Sequence, residues 1–379
     1  MSNLTVKMVE SGREMDDFVR FTRTHYAHCR QYVPDLERDV RDTFNPQKNS
    51  GLEFSDVQPF VAYRDGKPVG RIAAIINHHA NKKWNRRNVR FSLIEFVDDM
   101  EVSRALLDAV AAWGRERGME RIQGPMGITD FDKEGMLVDD FHLTGSLTAI
   151  YNYDYYPRHL EALGFEKEAD WLQVRVEVPQ EVPVKYARVA DYVSKQVGLH
   201  VVKVTNKDIR GGYGKKMFHL LNAAYSPLFG YSELTERQID DFIDQYIALV
   251  DKQLIPLIEN EKGELVGVAI TMSSMAEAFQ KSKGRLWPTG WWHLLGGLKW
   301  RRADHAEMLL IAVRPDYQGM GVNALFFTDL IPIYNKLGIK WAETGPQLEN
   351  NMRELNQWRA LNPKIVKRRR CYTKPLNAE

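Results

Sequence analysis

Two stretches of this chain repeat each other at a constant offset, and that repetition limits the possible fold more than any other feature. PFVAYRDGKPVGRIAA from Pro59 matches PLIENEKGELVGVAIT from Pro256, so that Pro59, Gly66, Val69 and Gly70 recur as Pro256, Gly263, Val266 and Gly267, 197 residues on. Each copy reads as a strand, a glycine-containing turn and a second strand. A helical pattern over 102–117, then Gly118 and a strand ending Gly124-Pro125, matches 324–337, then Gly338 and a strand ending Gly345-Pro346, now 220 residues on. The difference of 23 residues places an insertion in the second copy, at about 276–304, in AEAFQKSKGRLWPTGWWHLLGGLKWRRAD. The chain therefore reads as two copies of one α/β unit.

Within each copy the expected order is strand, one or two helices, hairpin, long strand, helix, strand, helix, strand. In the first copy these fall at 5–9, within 15–40, at 60–76, 90–97, 102–117 and 121–123, with a last helix and strand within 155–178. Pro179 and Pro183 interrupt the pattern, which sets domains of 1–182 and 183–379. The second copy opens with a helix from Lys185 and a strand near 200–204.

Composition narrows the class. With 379 residues, 44% apolar and 27% charged, the chain is long enough for two cores and too apolar for disorder. A net charge of +2 makes nucleic acid an unexpected partner. Cys29 and Cys371 fit neither a disulfide framework nor a zinc site, so a reducing cytoplasm and no metal are expected. The first residues contain no apolar signal region, and no stretch approaches the ~18 apolar residues of a spanning helix.

The stretch HAEMLLIAVRPDYQGMGVNALFFTDLIPIY, 305–334, carries the most chemistry. Residues 308–313 read as a buried strand and Val322 begins a helical pattern, so 314–321 is a strand-to-helix turn. Gly319 and Gly321 allow positive φ and close approach of a ligand. Successive N–H groups at a helix start form a cradle for pyrophosphate; an ordinary two-glycine turn is the alternative. The first copy has EFVDDMEVSRALL at the same junction, with Asp98, Asp99 and Glu101. These repel phosphate and suit helix capping.

The run Gln318, Gly319, Met320, Gly321, Val322, Asn323 resembles the signature of the GNAT superfamily of acyl-CoA-dependent N-acyltransferases, which is Gln or Arg, two residues, Gly, one residue, then Gly or Ala. Asn323 departs from the last position, and Ala324 follows it. The resemblance implies two tandem GNAT-like domains of mixed sheet and helices. It also implies acyl-CoA as co-substrate, with no permanently bound cofactor. It assigns Ile311, Ala312 and Val313 to the strand edge that takes the pantetheine arm and 318–324 to the pyrophosphate. Asn350, with Asn351, stands where the family often places an Asn near the pantetheine, helix capping being the alternative.

An amine with a pKa near 10 needs a base before it attacks a thioester. The resemblance offers Glu307, in Ala306-Glu307 leading to Ala312-Val313, as that base. A solvent-facing carboxylate is the other reading. Glu343 on the next strand is a second candidate, and Tyr372 a candidate proton donor to the thiolate. The aromatic YNYDYYP at 151–157 is read as packing or as a wall of the acceptor site, with the first domain a degenerate copy.

The insertion holds Trp287, Trp291, Trp292 and Trp300 between basic ends, a composition suited to the interface of an anionic membrane. A cover for a long acyl chain, or a hairpin-like flap packed on the first half, are the alternatives. KIVKRRR, 364–370, reads as a solvated face or an anion contact. The insertion leading into the signature resembles the bacterial ceramide-synthase type of GNAT protein, which N-acylates a sphingoid base. The expected function is transfer of a long acyl group from CoA to an amine, by a cytoplasmic protein peripheral on the inner membrane face. A non-catalytic CoA- or lipid-binding module is the rival.

Overall fold

In the computed structural model, which describes residues 3–245, 247, 250–300 and 303–376, the chain forms two compact units. One comprises Met1–Leu172, Met275–Gly297 and Lys367–Glu379, the other Gln173–Ser274 and Leu298–Val366. These units differ from linear halves because the insertion and most of the last strand pack with the first copy, and because the division falls inside a strand, ahead of Pro179.

In the first unit, β1 (Leu4–Met8), β2 (Ser55–Arg64), β3 (Lys67–Asn77), β4 (Asn88–Phe96) and β5 (Arg121–Gly124) lie side by side in that order. Pairing is antiparallel up to β4 and parallel between β4 and β5. The C-terminal strand Lys364–Pro375 pairs antiparallel with β5 and, at Arg369 and Arg370, with β6 (Met136–Leu137). Helix Met100–Glu116, capped by Asp99, turns Val102, Leu106, Val110 and Trp113 onto the sheet, where all four are buried. That spacing is one face of a 3.6-residue period.

In the second unit, the latter half of β7 (Glu166–Glu177), β12 (Trp341–Thr344), β11 (His305–Val313), β10 (Leu265–Ser273), β9 (Leu257–Glu259) and β8 (His200–Val202) are neighbours in that order; β13 (Gln347–Leu348) lies off this path. Helix Asn323–Lys336 buries Ala324, Phe327 and Ile331 against them. Repeated glycines have the same physical cause in both units. Gly66 and Gly263 turn the hairpins at φ 75° and 72°, and Gly118 and Gly338 end the helices at 72° and 74°. At Gly70 and Gly267 an added Cβ would lie 2.7 Å from Leu106 and 3.0 Å from Phe326, so only glycine lets each helix settle on its sheet.

The insertion is helical, not a hairpin. Ala276–Ser282 and Gly290–Lys299 are helices, consistent with a segment rich in Leu, Trp and Gly and poor in the β-branched residues strands favour. The first packs on the 30–37 segment: Gln280 Nε2 donates to the Arg30 and Tyr32 carbonyls, and Glu37 N–H donates to the Gly284 carbonyl. Arg301 and Arg302, the basic end of the insertion, lie outside the described residues.

Candidate functional site

The parallel pairing of β11 with β12 ends at Met308 and Thr344, and a bulge opposite Ile270 and Thr271 follows on the other side of β11. Bulges bend a strand and increase its twist, and beyond this one no described strand pairs with the far edge of β11. The Arg314 N–H donates to Val266 O at 2.9 Å. Alternation of the antiparallel ladder then turns the main-chain groups of Ile311 and Val313 toward the open edge. One hydroxyl meets those of Ile311: Tyr225 Oη donates to the Ile311 carbonyl (2.8 Å) and accepts from the Ile311 N–H (3.3 Å). Burial, reinforced by the Glu354 carboxyl, pushes this phenol's pKa up.

Past Val313 the chain makes a short turn at Pro315–Tyr317 and enters helix Asn323–Lys336. Gly319 and Gly321 hold φ of 84° and 86°. A Cβ at Gly319 would meet nothing, whereas one at Gly321 would lie 2.6 Å from Val189 Cγ1. Met320 and Ala324 bond back within the turn, to Tyr317 and Gly321, and the N–H groups of Gly319, Gly321 and Val322 have no hydrogen-bond partner among the described residues. The Gln318 amide donates to the Val313 carbonyl at 3.0 Å, and the Asn323 amide to Gln357 at 2.6 Å. The turn thus exposes main-chain donors at a helix start without a carboxylate in the helix's first turn, which is what an anion needs.

Two buried carboxylates sit side by side on the paired part of these strands, since Glu307 and Glu343 are register partners. Ser274 Oγ donates to Glu307 at 2.7 Å. Glu343 accepts from Gln173 at 3.2 Å and pairs with Arg175 at 3.3 Å. A third carboxyl lies after the site: Glu354, on the short helix Met352–Gln357, accepts from the Asn351 amide at 2.9 Å. Burial raises its pKa to about 7.

No family model matches the chain. Two curated relatives do: Protein YghO of Escherichia coli K12, 25% identical over 98% of this chain and 95% of that protein, and a bacterial ceramide synthase of Caulobacter vibrioides, 25% identical over 84% of this chain and 82% of that protein. Among solved structures, a tandem GNAT protein from the clavulanic acid biosynthesis pathway aligns over 100% of both chains with a TM-score of 0.57 and 11% identity. A GCN5-related N-acetyltransferase from Sphaerobacter thermophilus aligns over 99% and 96% with a TM-score of 0.53 and 11% identity. The chain carries the tandem GNAT fold.

In this GNAT fold the signature residues 318–324 and the edge residues Ile311, Ala312 and Val313 are consecutive parts of one strand, turn and helix. Glu307 and Glu343 lie on the same two strands. Asn351 caps the helix that follows, and Asn350 is exposed beside it. Tyr372 belongs to the first unit, where it pairs with Gly124 and its hydroxyl donates to Glu161 at 2.9 Å. Sequence reasoning missed Tyr225, Ser274, Arg175 and Glu354. None lies in a motif, and only the fold brings them to β11, β12 and the short helix.

The matching junction of the first GNAT unit is finished differently. Asp99 caps its helix, Arg64 binds Asp99 (2.7 Å) and Glu101 (3.1 Å), and His159 binds Asp98 (2.9 Å). The Phe96 N–H donates to Tyr156 Oη (3.1 Å), and the Phe96 carbonyl accepts from Tyr155 Oη (2.6 Å). Tyr156 and Tyr26 also donate to the buried Glu95 at 2.7 and 2.6 Å. The YNYDYYP segment thus packs around the edge of β4. Among the described residues, no helix is long and apolar enough to cross a membrane, and no cluster of His, Cys, Asp and Glu is arranged to hold a metal.

Proposed function

We propose that this protein is an acyl-CoA-dependent N-acyltransferase that moves a long acyl chain from CoA to an amine of the sphingoid-base class. In this reading the open edge at Ile311 and Val313 takes the amides of the pantetheine arm. The unpartnered N–H groups of Gly319, Gly321 and Val322 take the pyrophosphate. That row of donors beside an unpaired strand edge is the observation that carries the proposal.

Glu307 serves as the base. It removes a proton from the ammonium form of the acceptor, and the freed nitrogen lone pair attacks the thioester carbon. The C–S bond then breaks, and the leaving thiolate takes up the second proton, which the attacking nitrogen sheds as it becomes a neutral amide, giving free CoA. Glu343 suits this less well, because taking a proton would forfeit its pairing with Arg175.

Support for a long chain and a lipid amine comes from the C. vibrioides relative and from the insertion. Trp287 is 77% exposed, Trp292 50% and Trp300 62%. Among the described residues, the exposed large aromatic side chains other than Tyr192 all fall within 287–300. Indoles held open to solvent beside Lys299 fit an anionic bilayer surface, and we place the protein at the cytoplasmic face of the inner membrane.

The test is release of free thiol from long-chain acyl-CoA in the presence of a sphingoid base. Glu307→Gln should keep donor affinity and lower turnover by about 10²-fold or more. That loss should shrink at high pH, where the amine deprotonates unaided. Donor binding without thiol release for any amine would make the protein a binding module. Full turnover of the variant at pH 7 would move the base to Glu343 or Glu354.

A further inference from the structure

Both splayed strand edges in this protein end on tyrosine hydroxyls, but the two are held differently. At Phe96, Tyr155 and Tyr156 divide the carbonyl and the N–H between them, and Tyr156 is tied a second time through Glu95. Tyr156 is fully buried, and its ring stacks on Phe96 with centroids 4.2 Å apart. At Ile311 one hydroxyl serves both groups, and Tyr225 is only half-buried. It is the last residue of helix Gly214–Tyr225, with the Tyr231 ring edge-on to it at 5.8 Å. A side chain at a helix end can leave its place without dismantling a core.

Strand edges need partners. An unpaired N–H and carbonyl away from water are costly, and Tyr225 supplies one donor and one acceptor to the residue at which an amide-bearing arm would pair. We infer that Tyr225 is the resident occupant of the donor groove and sets donor affinity by competing for the main chain of Ile311. A CoA thioester binds by displacing this hydroxyl, and its own amide takes over both hydrogen bonds. The inference rests on the donor reading given above and adds a residue that tunes it.

The experiment is calorimetric titration of octanoyl-CoA into the wild type and Tyr225→Phe, with amide hydrogen exchange followed at Ile311. Phenylalanine keeps the ring and removes the competing bonds. The variant should therefore bind about 5-fold tighter. Its Ile311 amide should exchange faster than in the wild type when free, and regain protection when octanoyl-CoA binds. Equal or weaker binding by the variant overturns the inference while leaving the donor reading intact, as does an Ile311 amide that stays unprotected in the bound variant. If neither protein binds octanoyl-CoA, the donor reading itself fails and this inference falls with it.

Discussion

At Phe96 the edge of β4 is closed by two tyrosine hydroxyls and backed by three carboxylates, whereas at Ile311 the edge of β11 meets one hydroxyl and leads into a row of unpartnered N–H groups. The frames are alike. Both long strands lose their parallel partner after a few residues, at Arg90 and at Met308, and both carry a bulge against the preceding strand. Burial separates them: β4 is buried along nearly all its length, while β11 is half-buried from Met308 to Ile311. A duplicated scaffold has thus been filled in one copy and left open in the other. What distinguishes the open junction from the closed one here is which side chains cover the edge, not the backbone path.

The strongest way to break this contrast is charge. Gly319→Glu adds a carboxylate where nothing would meet its Cβ and should weaken CoA binding by about 100-fold or more. Gly319→Ala pays the positive-φ strain alone, about 1–2 kcal/mol, and separates strain from repulsion. Glu101→Lys, at a 74% exposed side chain of the first junction, should leave CoA affinity unchanged. A change of CoA affinity in the Lys variant, read by calorimetry, would erase the distinction between the junctions.

A smaller effect is expected at the insertion. Trp291→Ser with Trp292→Ser should reduce sedimentation with anionic liposomes and lower turnover of long acyl donors by about 10-fold. Short donors, which gain little from the ~0.8 kcal/mol per buried CH₂, should be unaffected. If long and short donors respond alike, the indoles serve packing only.

The subtlest effect sharpens the first-unit side of the contrast. Burial raises Glu95 to about 7, against Arg71 and the Tyr26 and Tyr156 hydroxyls that pull it down. Burial, with Arg71, lowers His25 to about 4. A raised carboxyl favours the folded state below its unfolded pKa near 4.5 and loses that contribution as pH rises toward 7. A depressed imidazole contributes above its unfolded value near 6.5 and loses that as pH falls toward 4. The two slopes oppose each other between about 4.5 and 6.5. Glu95→Gln should therefore unmask the histidine, giving a urea midpoint that rises with pH over this window where the wild type stays flatter. Parallel profiles for the two proteins would mean that folding leaves the pKa of Glu95 unshifted.

Much of this architecture could be read before folding, because some positions tolerate only one residue. Gly66 and Gly263 need positive φ, Gly70 and Gly267 need a missing Cβ, and the spacing between such pairs located the insertion. The turn from Arg314 to Gly321 was legible for the same reason. Tyr225 was not, since it reaches Ile311 from 86 residues away and no local pattern marks a hydroxyl that will cap a strand. The helical form of the insertion was also hidden, as its composition suits a packed hairpin-like flap and a helix equally. Nor could the division of the units be read from Pro179, because the last strand pairs with β5 from the far end of the chain.

The central claim is that only the second junction receives a donor. Equilibrium dialysis of labelled octanoyl-CoA against the full chain tests it most directly. The account predicts one bound molecule per chain, lost in Gly319→Glu. Two per chain, or one that survives Gly319→Glu, would contradict it.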